Sequence, residues 1–207
     1  MQYFALLTAG LSFLVSGGSA ATLGSAASLS VCDNEVVASE TYIGKDHNVK
    51  LTTSHCDGVP QVSSQGALLN KRQHTPGPPA HVDNNCAGDT HCFNPSGGGP
   101  NESDCAVIAD ALLYEEQNVG DLFNVTYNSS PGDKVTMQYG SCLTYFLNQN
   151  SRDFIYCRSD WSSLVTWLSG DCNAANNAHG GLCVATDGDW YIQYVAPSPV
   201  QIEDRKF

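Results

Sequence analysis

The side chains that could act as acids and bases in this chain are not spaced for catalysis. Glu115 and Glu116 are adjacent on a predicted helix and therefore point in different directions. Asp187 and Asp189 flank a glycine, where turn formation alone explains them. His179 has no serine or cysteine nucleophile motif to pair with. We therefore predict a protein without enzymatic activity, without catalytic residues and without a cofactor.

Aromatic and amide side chains suggest a different chemistry, the binding of a sugar. Sugars stack on aromatic rings and are held by oriented hydrogen bonds from amides and carboxylates. In the stretch WYIQYV, alternation places Tyr191 and Gln193 opposite Trp190 and Ile192. We predict the first pair on an outer, ligand-binding face, or the second pair if the register is reversed. Trp167 falls off the apolar stripe of its predicted helix, so an exposed Trp167 is the next candidate.

The first twenty residues predict export from the cell. MQYFALLTAGLSFLV is apolar but too short to cross a bilayer as a helix, and small residues follow it. We read residues 1–20 as a signal peptide, although no basic residue precedes the apolar run. The expected location is secreted and extracellular, without membrane insertion.

Lys71 and Arg72 form a dibasic pair directly before a Pro- and Gly-rich stretch, HTPGPPAH. Processing proteases of the kexin and furin type cleave after such pairs in exposed linkers; the alternative is two solvated loop charges. We predict cleavage before Gln73, which makes residues 21–72 a propeptide or small N-terminal module and residues 73–85 a linker. The secreted protein would then lack Cys32 and Cys56, which can pair with each other.

Nine cysteines favour disulfides in an oxidising compartment. The two before the dibasic pair are Cys32 and Cys56, and the seven after it are Cys86, Cys92, Cys105, Cys142, Cys157, Cys172 and Cys183. Seven is odd, so one thiol stays reduced, or one cysteine bridges two chains in a homodimer, or the first pair is not self-contained. The sequence has no Cys-x-x-Cys pair, and we predict no metal site.

The net charge of the chain and its N-glycosylation sequons limit the classes of partner that the protein can bind. A net charge of -12 argues against nucleic acid, which would be repelled. Asn101, Asn124 and Asn128 begin sequons for N-glycosylation, which predicts a secreted glycoprotein. The charge favours a neutral ligand, a cation or a protein, and the predicted partners are glycans or glycoproteins.

Two helices are predicted from apolar spacing. From Ser103 as N-cap, the first helix has its apolar residues on one face, and these are Cys105, Ile108, Ala109, Leu112 and Leu113. The second helix is capped by Ser159 and ended by Gly170. Its apolar face consists of Trp161, Leu164, Val165, Leu168 and Cys172.

Strands are predicted between and after the helices. LFNVTYN, with Phe123, Val125 and Tyr127 inward, and the two halves of KVTMQYGSCLTYFLN form three antiparallel strands. LCVATDGDWYIQYV is a hairpin turning at Asp187-Gly188, at the opposite end of the sheet from the Asn-rich loop NAANNAHGG. We predict an α+β fold over residues 86–196, a disulfide-stapled sandwich with an antiparallel sheet of about five strands covered by two amphipathic helices. Residues 197–207 form a C-terminal tail.

Four stretches carry a family resemblance: GGGPNESDCAVIADALLYEEQNVGDLF, VTMQYGSCLTYFLNQ, YCRSDWSSLVTWL and NAHGGLCVATDGDWYIQ. They resemble small cysteine-rich proteins secreted by mushroom-forming fungi, a group similar to the mushroom glycan-binding protein ("Y-three-like") domain and, more loosely, to killer-toxin-like α/β sandwich effectors. The resemblance implies a secreted α/β sandwich that binds glycans, but assigns no sugar-contacting residue. Two functions follow as hypotheses: a lectin-like glycan-binding protein, or an effector or toxin-like protein that acts on a protein target.

Overall fold

The computed structural model describes residues 32, 34–59, 61–63, 68–69, 80–81, 89–127 and 133–197, with the backbone alone for 68–69, 80–81 and 89. The predictions of a signal peptide, of cleavage at Lys71 and Arg72, of a disulfide at Cys86 and of a sequon at Asn128 lie outside the described residues. Nearly all of the predicted C-terminal tail lies outside them as well.

The described chain contains twelve strands, two α-helices and one 3-10 helix. In chain order these are β1 Val36–Ile43, β2 Val49–His55, β3 Gln61–Val62, β4 Leu68–Leu69, β5 Ala80–His81, β6 Asp89–Cys92, α1 Glu102–Asn118, β7 Leu122–Val125, β8 Lys134–Tyr139, β9 Cys142–Asn148, β10 Phe154–Cys157, α2 Arg158–Asp171, the 3-10 helix Ala174–Asn176, β11 Gly180–Val184 and β12 Trp190–Val195.

A seven-stranded antiparallel sheet dominates the fold, in the order β1-β2-β8-β9-β12-β11-β6. The α+β class is therefore correct, but the sheet is larger than the predicted one. The prediction that β7 joins β8 and β9 is wrong: β7 pairs with β10 in a second, three-stranded sheet with β5. Both edges of β8 are already occupied, by β9 and by β2, so β8 has no edge left for β7.

Both helices lie against one face of the large sheet. The predicted apolar face of α1 is buried at Cys105, Ile108, Ala109 and Leu112, whereas Leu113 is 38% exposed because it lies one helical step beyond that stripe. All five predicted apolar residues of the second helix are buried, and Ser162 Oγ on α2 donates to Ala109 O on α1 at 2.9 Å.

The predicted helix ends differ by one or two residues. Asn101 rather than Ser103 is the N-cap of α1, Cys157 rather than Ser159 is the N-cap of α2, and α2 continues past Gly170 to Asp171. Neither N-cap makes a side-chain capping hydrogen bond. Because the helix starts are not fixed by a side-chain capping bond, the serines near them do not mark the first helical residue.

The opposite face of the sheet is also buried, contrary to the predicted sandwich of helices on one face. We call residues 32–69 the N-terminal segment. Its described side chains Cys32, Cys56 and Val62 pack on the sheet in a second apolar cluster. The remaining members of this cluster are Phe93, Leu143, Tyr145, Leu147, Leu182, Val184 and Tyr191. Every residue of β9 is buried as a result.

Disulfides tie these layers together, as predicted. Cys105 in α1 is bonded to Cys142 in β9, and Cys92 in β6 to Cys172 at the end of α2. Cys32 is bonded to Cys56, so the first pair is self-contained. Cys183 is also disulfide-bonded. No described helix has the length and apolar character needed to span a membrane.

Candidate functional site

Tyr191 and Gln193 do not lie on an exposed face. Strand β12 alternates as predicted, because Trp190 and Ile192 face the helices while Tyr191 belongs to the cluster on the opposite side. However, Tyr191 is 0% exposed and Gln193 is 1% exposed. The predicted outer surface is covered by the N-terminal segment, which the sequence did not predict to pack there, so neither side chain can contact a ligand in this form of the molecule.

The covered face of the sheet contains several buried side-chain oxygen atoms. Within the described part of the chain, Oε1 of Gln193 has no hydrogen-bond partner, and the hydroxyls of Tyr145 and Tyr191 have no partner but each other. The Tyr145 and Tyr191 rings meet edge to face, with centroids 6.0 Å apart. Burial raises the pKa of both tyrosines, so both hydroxyls stay protonated.

Trp167 is the exposed aromatic residue that the helical pattern predicted. Its side chain is 47% exposed, whereas Trp161 and Trp190 are core residues at 0% and 2%. Trp161 contacts Phe123 and donates from Nε1 to Thr144 Oγ1 at 3.1 Å. An indole on a helix surface has no such packing role, and large exposed aromatics are typical of binding surfaces.

Polar residues surround Trp167 on the same helix face. Ser163 and Asp171 lie four residues to either side of it and are exposed, so a hydroxyl and a carboxylate share its face of the helix. Gly170 lies three residues on, and a Cβ atom placed there would have no heavy atom within 4 Å. No side chain therefore covers the helix surface at Gly170.

The Asn-rich loop packs next to this surface. Asn176 Nδ2 donates to Asp171 O at 2.9 Å, which fixes the loop against the last turn of α2. Asn173 Oδ1 caps the 3-10 helix by accepting from Ala175 N and Asn176 N, and its Nδ2 donates to Gly170 O at 2.8 Å. We call Ser163, Trp167, Gly170, Asp171 and Asn176 the α2 surface.

The loop and the turn at Asp187-Gly188 lie at opposite ends of the sheet, as predicted. Gly180, just after the loop, pairs with Val195, whereas Val184, just before the turn, pairs with Tyr191. The loop therefore belongs to the end of α2 and not to the β11–β12 turn. Sequence reasoning named Trp167 but missed Asp171 and Gly170, although their spacing from Trp167 was readable.

The acidic residues and His179 have structural contacts. Glu115 Oε1 accepts from Gly44 N at 3.1 Å, and Asp189 is paired with Arg152 at 3.0 Å. Asp187 Oδ1 accepts from Asp189 N within the turn, and His179 Nδ1 lies 2.6 Å from Pro95 O. Among the described residues, no three His, Cys, Asp or Glu side chains converge on a point where they could hold a metal ion.

Two predicted glycosylation sites are accessible. Asn101 is exposed at the start of α1, and Asn124 is exposed on β7 while its neighbour Val125 is buried. Tyr127, predicted to face inward with Val125, is instead 42% exposed, because β7 ends at Val125 and the alternation ends with it.

Comparison with known proteins gives no relative: no protein-family model, no curated protein and no solved structure matches this chain.

Proposed function

We propose that this protein is a secreted, non-catalytic glycan-binding protein, and that the α2 surface is its saccharide site. The observation that carries the proposal is the exposed indole of Trp167 beside an open glycine position and an exposed carboxylate. An indole offers a flat apolar face to the C–H groups of a sugar ring, and a carboxylate accepts hydrogen bonds from neighbouring sugar hydroxyls.

Rigid support strengthens this proposal. Trp167 lies on a helix whose buried side contacts α1, and the Cys92–Cys172 disulfide anchors the end of that helix to β6. A site on a rigid element loses less conformational entropy on binding than a site on a loop. The disulfide-bonded α+β fold is also compatible with secretion, which the N-terminal sequence predicts.

The first test is a glycan array probed with the purified protein, followed by a titration of the best saccharide. Trp167→Ala should weaken binding by about 30-fold or more, the loss typical of a central aromatic contact, while thermal stability changes little. Tyr114→Ala is the matched control, because Tyr114 is a 36% exposed aromatic on the adjacent helix. Equal affinity of Trp167→Ala and the native protein would remove the site from α2, and an array without any bound saccharide would reject the function.

A protein target is the second candidate function, and one feature favours it. Val119 and Leu122 are 70% and 54% exposed and flank a loop at the end of α1. Arg158 holds this loop by donating to Gly120 O and Leu122 O. An apolar pair on a fixed loop suits an interface with another protein. Val119→Ser should leave saccharide binding unchanged and impair only an effector-type activity.

A further inference from the structure

The N-terminal segment is part of the fold and not an appendage to it. Strand β2 is hydrogen-bonded to β8 over five residue pairs, from Lys50 with Gln138 to Ser54 with Lys134. Val49 is 0% exposed and lies in the main core beneath the helices. The segment therefore supplies both an internal strand and core side chains to the part of the chain that follows the dibasic pair.

The turn after β1 adds a close contact with α1. Gly44 has φ +86° and its N–H donates to Glu115 Oε1 at 3.1 Å. A Cβ atom at Gly44 would lie only 2.8 Å from Ala111 Cβ. The backbone of this turn lies so close to the helix that no other residue type fits.

Buried and partly buried polar contacts join the segment to the other face of the sheet. Glu35 Oε2 accepts from Lys134 Nζ at 2.8 Å, and the Lys134 side chain is only 7% exposed. Cys56 N donates to the Asp133 carboxylate at 3.1 and 3.3 Å. The Gln149 side chain pairs with the backbone of Val62, accepting from its N–H and donating to its carbonyl oxygen.

The covalent links do not cross this interface. The cysteines of residues 21–72 are Cys32 and Cys56, and they are bonded to each other. Once the chain is cut after Arg72, no covalent bond joins the two parts, and non-covalent contacts such as those above hold them together.

We propose that the N-terminal segment stays bound after processing, so that the mature protein is a non-covalent complex of two chains. Hydrolysis of the Arg72–Gln73 bond consumes one water and leaves a carboxylate on Arg72 and an amino group on Gln73. The β8 edge and the Tyr145 and Tyr191 face remain covered, because release would expose an unpaired strand edge and an apolar cluster to water. The expectation that the secreted protein lacks Cys32 and Cys56 is replaced by this two-chain complex.

The experiment uses the full secreted chain with the recognition sequence of a site-specific protease inserted after Arg72, which makes one cut certain. We expect the cut protein to elute as one species of unchanged size in native buffer, and to separate into two chains in denaturant without reductant. Separation of the two chains on size exclusion in native buffer would overturn the proposal. Neither outcome depends on whether the protein binds a saccharide.

Two charge variants test whether the two chains of the cut protein are held by a specific interface or by non-specific association. Glu35→Gln leaves the buried Lys134 without its carboxylate across the interface, and we expect the dissociation constant of the cut complex to rise by roughly 30-fold or more. Glu40→Gln is the control, since Glu40 pairs with Lys50 inside the segment at an exposed position. Equal dissociation constants for the two variants would show that the Glu35–Lys134 contact does not hold the chains together.

Discussion

At the residue scale, Tyr191 shows how correct alternation can give a wrong site. Period-two spacing placed Tyr191 and Gln193 opposite Trp190, and the structure confirms that arrangement. Alternation says which residues share a face, but not what covers that face. The cover comes from residues far away in the sequence, and no local pattern around Tyr191 encodes it.

The buried position of Tyr191 gives a stability prediction. Tyr191→Ala should lower the free energy of unfolding by roughly 3–5 kcal/mol, because it removes a fully buried ring from the second cluster. Tyr191→Phe should change that free energy by less than about 1 kcal/mol, since the neighbouring Tyr145 hydroxyl is the only partner of the lost hydroxyl in the described structure.

Urea unfolding followed by tryptophan fluorescence measures both Tyr191 variants. Tyr42→Ala, on a 52% exposed tyrosine of the edge strand β1, serves as the control and should change stability little. A loss above about 1 kcal/mol in Tyr191→Phe would mean that the hydroxyl makes a net stabilising hydrogen bond.

At the element scale, the N-terminus of α1 is fixed to the turn between β8 and β9. Asp104 Oδ2 accepts from Ser141 N at 2.7 Å and from Ser141 Oγ at 2.6 Å, and the Cys105–Cys142 disulfide lies one residue further on each side. The hydrogen bonds from Ser141 lower the pKa of Asp104, so this contact is present above the unfolded pKa and is lost as the pH falls through the folded one.

Gly140 makes this junction sensitive to a single methyl group. Gly140 has φ +50°, and a Cβ atom there would lie 2.5 Å from Asp104 Oδ2. Gly140→Ala should therefore lower the free energy of unfolding by about 1–3 kcal/mol, through backbone strain and displacement of the carboxylate.

Gly170→Ala is the matched control for Gly140→Ala, because it makes the same chemical change at a helical position. Outside the backbone of that helix, the new Cβ atom would have no heavy atom within 4 Å. Gly170→Ala should raise stability by up to about 1 kcal/mol. Urea unfolding of the two variants should thus give shifts of opposite sign, and a neutral Gly140→Ala would contradict the assigned turn geometry.

At the scale of the whole molecule, the sequence predicted both helices and the β11–β12 hairpin, because each depends on local spacing. The sequence also made every cysteine a disulfide candidate and left open which one is odd. That prediction is wrong for Cys157, which is a buried thiol, and is confirmed for Cys32, Cys56, Cys92, Cys105, Cys142, Cys172 and Cys183. The sequence analysis assigned no strands to the N-terminal segment. It missed the N-terminal strands for a physical reason. All residues of β1 except Ile43 are exposed, so the strand has no alternating pattern. Strand β2 does alternate, with Val49 inward and Lys50 outward, but its pairing with β8 is a long-range contact that sequence spacing does not encode.

The covalent network of the molecule identifies the odd cysteine. Each described cysteine except Cys157 is in a disulfide, and Cys157 is a buried thiol. Burial, together with the nearby carboxylates of Asp121 and Asp160, raises the pKa of Cys157 to about 11. A buried thiol is not placed to bridge two chains, so the predicted homodimer through an odd cysteine has no support from this position.

The burial and the raised pKa of Cys157 predict how its thiol reacts. At pH 8 the Cys157 thiol in the folded protein is protonated, and because the thiolate is the nucleophile, iodoacetamide should label it slowly, with a rate that rises as the pH approaches 11. In denaturant without reductant, the burial and the neighbouring carboxylates are lost, and Cys157 should be labelled rapidly at pH 8. Peptide mapping by mass spectrometry identifies the labelled cysteine, and Cys157→Ser is the control that should abolish the label. Rapid labelling of the folded protein at pH 8 would contradict the burial of Cys157, and a label on Cys105 or Cys142 in the unreduced chain would contradict their disulfide.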